Sequence, residues 1–203
     1  MNSLIIIGAS GHGKVVADIA RLNGYDDIAF LDDAPSLVKP LGYPILGKVS
    51  AFLEHLDSDF IVAIGNSDAR RRIQNELNGA GAELATLIHP SAVVAHDAVI
   101  CPGSVVMATA VLNPSSRVGT GCIINTGATV DHDCLIGDFV HVSVGAHLAG
   151  AVSIGDATWI GIGASVSNNI SICSGCMIGA GAVVIRDIDK PGTYVGVPAH
   201  LQS

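Results

Sequence analysis

The sequence predicts two folds in one chain: a small parallel α/β sheet over residues 1–87, then a parallel β-helix over residues 88–203. Three observations carry this. Short aliphatic runs alternate with amphipathic helical stretches in the first part. An unbroken six-residue period of aliphatic residues fills the second. Only 14% of the 203 residues are charged and 49% are apolar, a balance that a thin apolar column explains.

The first part begins with a buried strand, Leu4-Ile5-Ile6-Ile7, that runs into Gly8-Ala9-Ser10-Gly11-His12-Gly13. A helix follows, with Val15, Val16, Ile19 and Leu22 expected on one face. The strand Ile28–Leu31 ends in Asp32-Asp33. Pro35, Pro40 and Pro44 mark a loop, and a short helix is expected near Val49 to Leu56. The strand Phe60–Ile64 ends at Gly65-Asn66, and its helix, about Asp68 to Leu77, carries Arg70, Arg71 and Arg72. A last strand, Leu84–Leu87, closes this part.

The glycine turn has several readings. Gly8, Gly13 and Lys14 match a phosphate loop, but Val15 stands where the magnesium-holding hydroxyl belongs. A dinucleotide site with Asp32 on a ribose needs a different glycine spacing. A bland tight turn is the plainest alternative. The preferred reading is a nucleotide diphosphate attached to a sugar. A strand-to-helix turn offers backbone N–H groups to phosphates, and the glycine turn, Asp32-Asp33 and Gly65-Asn66 all fall at carboxyl ends of strands.

In the second part every sixth residue from Ile88 to Val184 is Ile, Leu or Val. If about a third of positions were so occupied at random, the series would arise about once in 10⁸. A helix face repeats at about 3.6 residues, so this is no helix. Short strands joined by regular corners fit: three hexads make one triangular coil, and residues eighteen apart stack at about 4.8 Å. Two places before each aliphatic stop the residue is mostly small, as at Ala98, Ser104, Ala110 and Cys122.

Composition excludes several function classes. A net charge of −8 makes nucleic acid and anionic membranes poor partners. Ala157 to Ile185 carries no charge, but its six-residue period and Asn168-Asn169 argue against a membrane span. Met1 to Ile7 lacks the basic region of a signal peptide. Cys122, Cys134 and Cys176 fill the small slot, and Cys101 and Cys173 follow a stop. They read as small apolar fillers in a reducing cytoplasm, the CxxC spacing of Cys173 and Cys176 included.

The corners of an apolar prism should be dull, yet this one carries Asn125, Asp131-His132-Asp133, His141 and His147. A carboxylate beside His132 would fix its tautomer and make it a general base. Ile124 and Val142 stack, so Asn125 and His141 flank one column on adjacent coils. His132 lies about half a circuit away, on the order of 15 Å. His132 of one chain is therefore expected to meet His141 of another in a three-fold packing of prisms. No metal is expected, since His141 and His147 differ in coil position and His89 and His96 lie far down the stack.

These residues carry a resemblance. The six-fold repeats ending in Tyr194-Val-Gly-Val-Pro-Ala199, with Trp159-Ile-Gly161, resemble the left-handed β-helix acyltransferases. Gly8-Ala-Ser-Gly-His-Gly13, Leu31-Asp-Asp33, Asn125-Thr-Gly-Ala-Thr-Val-Asp-His-Asp133 and His141-Val-Ser-Val-Gly-Ala146 are similar to the bacterial N-acetyltransferases of nucleotide-linked 4-amino sugars, the bacillosamine type. The sialic-acid O-acetyltransferases share that architecture.

The resemblance implies a Rossmann-like sheet that holds the nucleotide sugar, and a left-handed β-helix of hexapeptide repeats. It also implies a homotrimer, with acetyl-CoA as co-substrate lying between neighbouring prisms. His132 would be the base and Asp133 its acidic partner, where the family often has Glu. Asn125 and His141 would line the site. Ser10, Gly11, His12, Asp32, Asp33 and Gly65 would hold the nucleotide sugar. Gly150, Ile162 and Ala180, with His141, would line the coenzyme groove. The amine would attack the thioester directly, with a backbone N–H, that of Gly150, on the oxyanion. O-acetylation of a sialic-acid-like sugar, or a non-catalytic nucleotide-sugar binder, are the other readings.

Overall fold

The computed structural model describes residues 3–34 and 40–202. The chain divides into two compact units, Met1–Pro90 and Ser91–Ser203.

In the first unit the order is β1 (Ser3–Ile7), α1 (Gly11–Leu22), β2 (Asp27–Leu31), β3 (Ile45–Gly47), a 3₁₀ helix (Val49–His55), β4 (Asp59–Val62), α2 (Ser67–Gly79) and β5 (Glu83–Leu84). The strands form one parallel sheet in the order β3-β2-β1-β4-β5. Leu4 to Ile7 is buried on both faces, which is why that run is uniformly apolar rather than alternating. Ile5, Ile7, Leu31, Phe60 and Val62 of the sheet form one core with Phe52 of the 3₁₀ helix and Ile73 and Leu77 of α2.

Three expectations are corrected here. The buried stripe of α1 is Gly13, Val16, Ala17 and Ala20, at spacings of three and four, with Ile19 beside it. Val15 and Leu22 fall off that stripe and are exposed. Strand β3 lies where a loop was expected, being too short to show a period. The Phe30 N–H donates to the Pro44 carbonyl and the Asp32 N–H to that of Gly47. The expected strand over 84–87 is two pieces, β5 and Leu87–Ile88. Pro35 lies outside the described residues.

In the second unit two-residue strands recur every six residues and pair with strands eighteen residues away. Ile124 pairs with Val142, Val142 with Ile160 and Ile160 with Ile178. The first face of the prism includes Val111–Leu112, Thr129–Val130 and His147–Leu148; the second, Arg117–Val118 and Leu135–Ile136; the third, Ile123–Ile124, His141–Val142 and Trp159–Ile160. The third face is closed by Thr193–Val195 and an antiparallel return, His200–Leu201.

One residue per hexad, from Gly103 to Gly181, has φ between 55° and 74°. Phe139, Ala151 and Ala157 adopt it although a side chain makes that region costly. Coil geometry, not glycine, therefore imposes the bend. The next residue is the small slot, and its side chain does more than fill space. Ser104 Oγ donates to the Gly119 carbonyl, Cys122 Sγ to Gly137, Cys134 Sγ to Ala149 and Thr158 Oγ1 to Cys173, each fifteen residues on. The buried cysteines are hydrogen-bond donors as well as fillers. All five are reduced thiols, with Cys173 and Cys176 Sγ atoms 3.5 Å apart. Burial and the contact with Cys173 push the Cys176 thiol up to about 12.

Candidate functional site

The first unit forms a cleft of about 310 Å³ at the carboxyl ends of its strands, walled by Gly8, Ser10, Asp32, Asp33, Gly65 and Arg72 among others. Four of the six residues expected to hold the nucleotide sugar are thus brought together. Gly11 and His12 open α1 and do not line that cleft.

Chain geometry explains the glycines. Gly8 has φ of 106°, and a Cβ there would lie 2.9 Å from the Ala63 carbonyl oxygen. A Cβ at Gly13 would collide with the Gly8 carbonyl, so α1 can start this close to β1 only without one. Ser10 is the N-cap of α1, but its hydroxyl does not cap, and the first turn holds no acidic residue. The exposed amides suit an anion.

Asp32 and Asp33 are held rather than waiting. Asp32 accepts the N–H groups of Ala9, at 2.7 Å, and Ala34, at 2.8 Å. Asp33 accepts that of Val49. Arg70, noted in the sequence only as one of three arginines on α2, is fully buried and donates to the carbonyls of Ile64 and Gly65 at 2.7 and 2.8 Å. Its position three before Ile73 and seven before Leu77 was the available signal. His12 Nε2 is shielded from water, with no hydrogen-bond partner among the described residues. Burial first, and then the charge of Arg70, pull its pKa down to about 4.

In the second unit the corner between the first and second faces carries the candidate base. His132 is exposed, and its Nδ1 lies 2.7 Å from Asp133 Oδ2. The shorter Asp arm reaches. Nδ1–H donates to the carboxylate, so Nε2 is left with its lone pair. Asp133 sits at the bend with φ of 59°, where Asp is among the tolerated residues. Its hydrogen bond first, then the charge of Asp131, raise the His132 pKa above the usual histidine range.

Gly150 stacks one coil on from His132. A Cβ there would come within 2.5 Å of His132 Nε2. The absent side chain makes the room in which the ring lies. The Gly150 carbonyl accepts from Asn169 N–H, while the neighbouring Ala151 N–H donates to the His132 carbonyl.

A second cluster forms on the third face. His141 is buried, with its ring 4.4 Å from that of Trp159 at 37°. The Thr126 N–H donates to Asn125 Oδ1 and fixes that amide; its Nδ2 then donates to His141 Nε2 at 3.1 Å. Trp159 Nε1–H donates to Ser143 Oγ at 2.6 Å. Trp159 and Ser143 were not among the expected site residues, though Trp159 is eighteen on from His141. Exposed Ile162 and Ala180 stack on the next corner, where the Gly181 N–H donates to the Ile162 carbonyl.

One chain therefore assembles His132, Asp133 and Gly150 at one corner, and Asn125 and His141 at another. It does not join the two. Among the described residues no group of His, Cys, Asp and Glu could hold a metal ion, and no helix is long and apolar enough to cross a membrane.

Fold and site define a hexapeptide-repeat β-helix protein preceded by a parallel α/β unit. Residues 3–77 match the family described as PglD N-terminal domain, and residues 151–186 match bacterial transferase hexapeptide (six repeats). UDP-N-acetylbacillosamine N-acetyltransferase of Bacillus subtilis is 39% identical over 107 residues, which is 49% of this chain and 49% of that protein. The chain thus aligns with about half the length of that curated relative.

Among solved structures, the acetyltransferase domain of PglB from Neisseria gonorrhoeae, in complex with acetyl coenzyme A, is 44% identical with both chains fully covered, at a TM-score of 0.93. PerB from Caulobacter crescentus, in complex with CoA and GDP-perosamine, is 36% identical over 100% of this chain and 98% of that one, at 0.95. This chain belongs to the bacterial nucleotide-sugar N-acetyltransferase family of left-handed β-helix hexapeptide-repeat proteins. The left hand, which general strand chirality would not choose, is the family's.

Proposed function

We propose that this chain moves acetyl from acetyl-CoA to the amino group of a nucleotide-linked sugar, of the UDP-4-amino-4,6-dideoxy type. The observation that carries the reading is the His132 ring, fixed at Nδ1 by Asp133 and lying with Nε2 against Gly150. The amine attacks the thioester carbon, and His132 Nε2 takes an amine proton as the bond forms. The Gly150 N–H, which donates to nothing else among the described residues, stabilises the oxyanion. The carbonyl reforms as the C–S bond breaks, and the sulfur takes the proton back from His132, so that CoA leaves as the thiol. No acyl-enzyme is involved: the buried cysteines are committed to carbonyls.

Three copies assemble the site. His132, Asp133 and Gly150 of one face Asn125, His141, Ile162 and Ala180 of the next, with acetyl-CoA in the groove. The first unit holds the nucleotide sugar through Ser10, Asp32, Asp33 and Gly65, the four expected residues that line its cleft. Reduced thiols suit a cytoplasmic place of action.

The test is release of CoA thiol from acetyl-CoA against a panel of UDP-, GDP- and dTDP-linked amino sugars. Turnover dependent on the amine, lowered about 10²–10⁴-fold by His132→Ala, supports the reading. Activity of that variant within tenfold of wild type removes His132 from the role. Mixing His132→Ala with His141→Ala chains should restore part of the activity if the site is shared, and restores none if it is not.

A further inference from the structure

We propose that Asp131, held by Asn113, is a specificity-determining residue: its Oδ2 accepts one N–H of the incoming amine beside His132, so that the site prefers an amine to a hydroxyl. This rests on the acyl-transfer reading above.

Asp131 is anchored through one oxygen only. Its Oδ1 accepts Asn113 Nδ2–H at 2.7 Å and the His132 backbone N–H at 2.8 Å. Nothing among the described residues engages Oδ2. Asn113 stacks one coil before Asp131, so the carboxylate is fixed between coils rather than loose on a corner. The Asn113 amide, and then the His132 N–H, keep it below the usual carboxylate range, so it stays ionised wherever His132 is neutral.

Asp131 also lines a groove of about 420 Å³ on the first face, with Asn113, Thr129, His147, Ala149 and Ser165. Ala149 directly precedes Gly150, against which His132 Nε2 lies. The groove therefore ends beside the base. Its lining is mainly apolar, with hydroxyl, amide, imidazole and carboxylate groups set along it, a mixture that suits the faces and hydroxyls of a sugar ring.

Counting hydrogens gives the selectivity. A neutral amine has two N–H groups and one lone pair. One N–H goes to His132 Nε2 and one to Asp131 Oδ2, which aims the lone pair at the thioester. A hydroxyl has a single hydrogen. If His132 takes it, Asp131 faces an oxygen lone pair and stays unpaired, the arrangement by which a polar site rejects an analogue lacking a donor. No proton moves in this binding step, and an acceptor arriving as ammonium gives its extra proton to water first.

Asp131→Asn tests this closely, because the amide oxygen can keep both Oδ1 contacts while an NH₂ replaces the atom in question. Thiol release is measured for a nucleotide-linked 4-amino sugar and its 4-hydroxy counterpart, with thermal melts confirming the fold. We expect kcat/KM for the amine to fall about tenfold or more, and the amine-over-hydroxyl ratio to fall with it. Asp131→Glu, which keeps the charge but moves the oxygen, should lose the preference too.

A wild-type ratio, within about twofold in both variants, overturns the proposal while leaving His132 and the acyl-transfer reading intact. Absence of amine-dependent thiol release from wild type across the panel overturns both.

Discussion

The His132 ring occupies the space that a Cβ on Gly150 would fill, with Nε2 2.5 Å from that point. Gly150 has no positive φ, so alanine fits its backbone. Gly150→Ala should therefore leave the fold stable and displace only the exposed ring. Turnover should fall about 10²-fold, the lower worth of a positioned base, while the melting temperature stays within a few degrees. Steady-state kinetics with a thermal melt on the same sample checks both.

With His132 as the proposed base, its pairing with Asp133 should set the pH profile. A general base must be neutral, and the His132 pKa is raised above 6.5 by the Asp133 hydrogen bond and then by Asp131. The rate kcat/KM should climb with pH through an inflection above 6.5 and then level off. Asp133→Asn removes the leading cause and should move the inflection to lower pH, with a lower plateau. An unmoved inflection would show that another group titrates.

His12 should make the first unit acid-sensitive. Its pKa of about 4 in the fold, against 6.5 free, means the unfolded chain binds the extra proton between those values. Stability is present above about pH 6.5 and is lost as pH falls toward 4, by up to about 3 kcal/mol. Urea denaturation at pH 7 and 4.5 should show this loss in wild type and a smaller one in His12→Gln.

Trp159 supports His141 by ring contact and Ser143 by its N–H. Trp159→Ala should cost somewhat less than the ~3–5 kcal/mol of a fully buried aromatic, because the residue is only partly buried. Trp159→Phe keeps the ring contact and loses the 2.6 Å hydrogen bond, about 1 kcal/mol. Denaturant midpoints of the two variants separate the contributions.

The column was legible because its interior maps onto sequence one residue in six, with no exception from Ile88 to Val184. His132 and Asp133 were legible because they are adjacent. What escaped lies on outward positions, where the aliphatic period says nothing. Trp159 over His141 and Asn113 under Asp131 both obey the eighteen-residue stacking, but the rule selects no residue type there. Gly150 came from resemblance, and its relation to His132 is the same stacking seen from the other end. In the first unit, β3 is three residues between Pro44 and the 3₁₀ helix, below the length at which any period can be read. Arg70 was hidden by company: three consecutive arginines look alike until the phase of α2 turns one of them inward.

The bend at every sixth residue makes the second unit a ratchet with a fixed tooth. A single inserted residue after Asp133 would swing every later side chain out of step. Six inserted residues would carry Gly150 to a different edge of the prism, leaving a stranger beneath the imidazole. A block of eighteen would return every later side chain to its own face, but the residue beneath the imidazole would then come from the inserted storey.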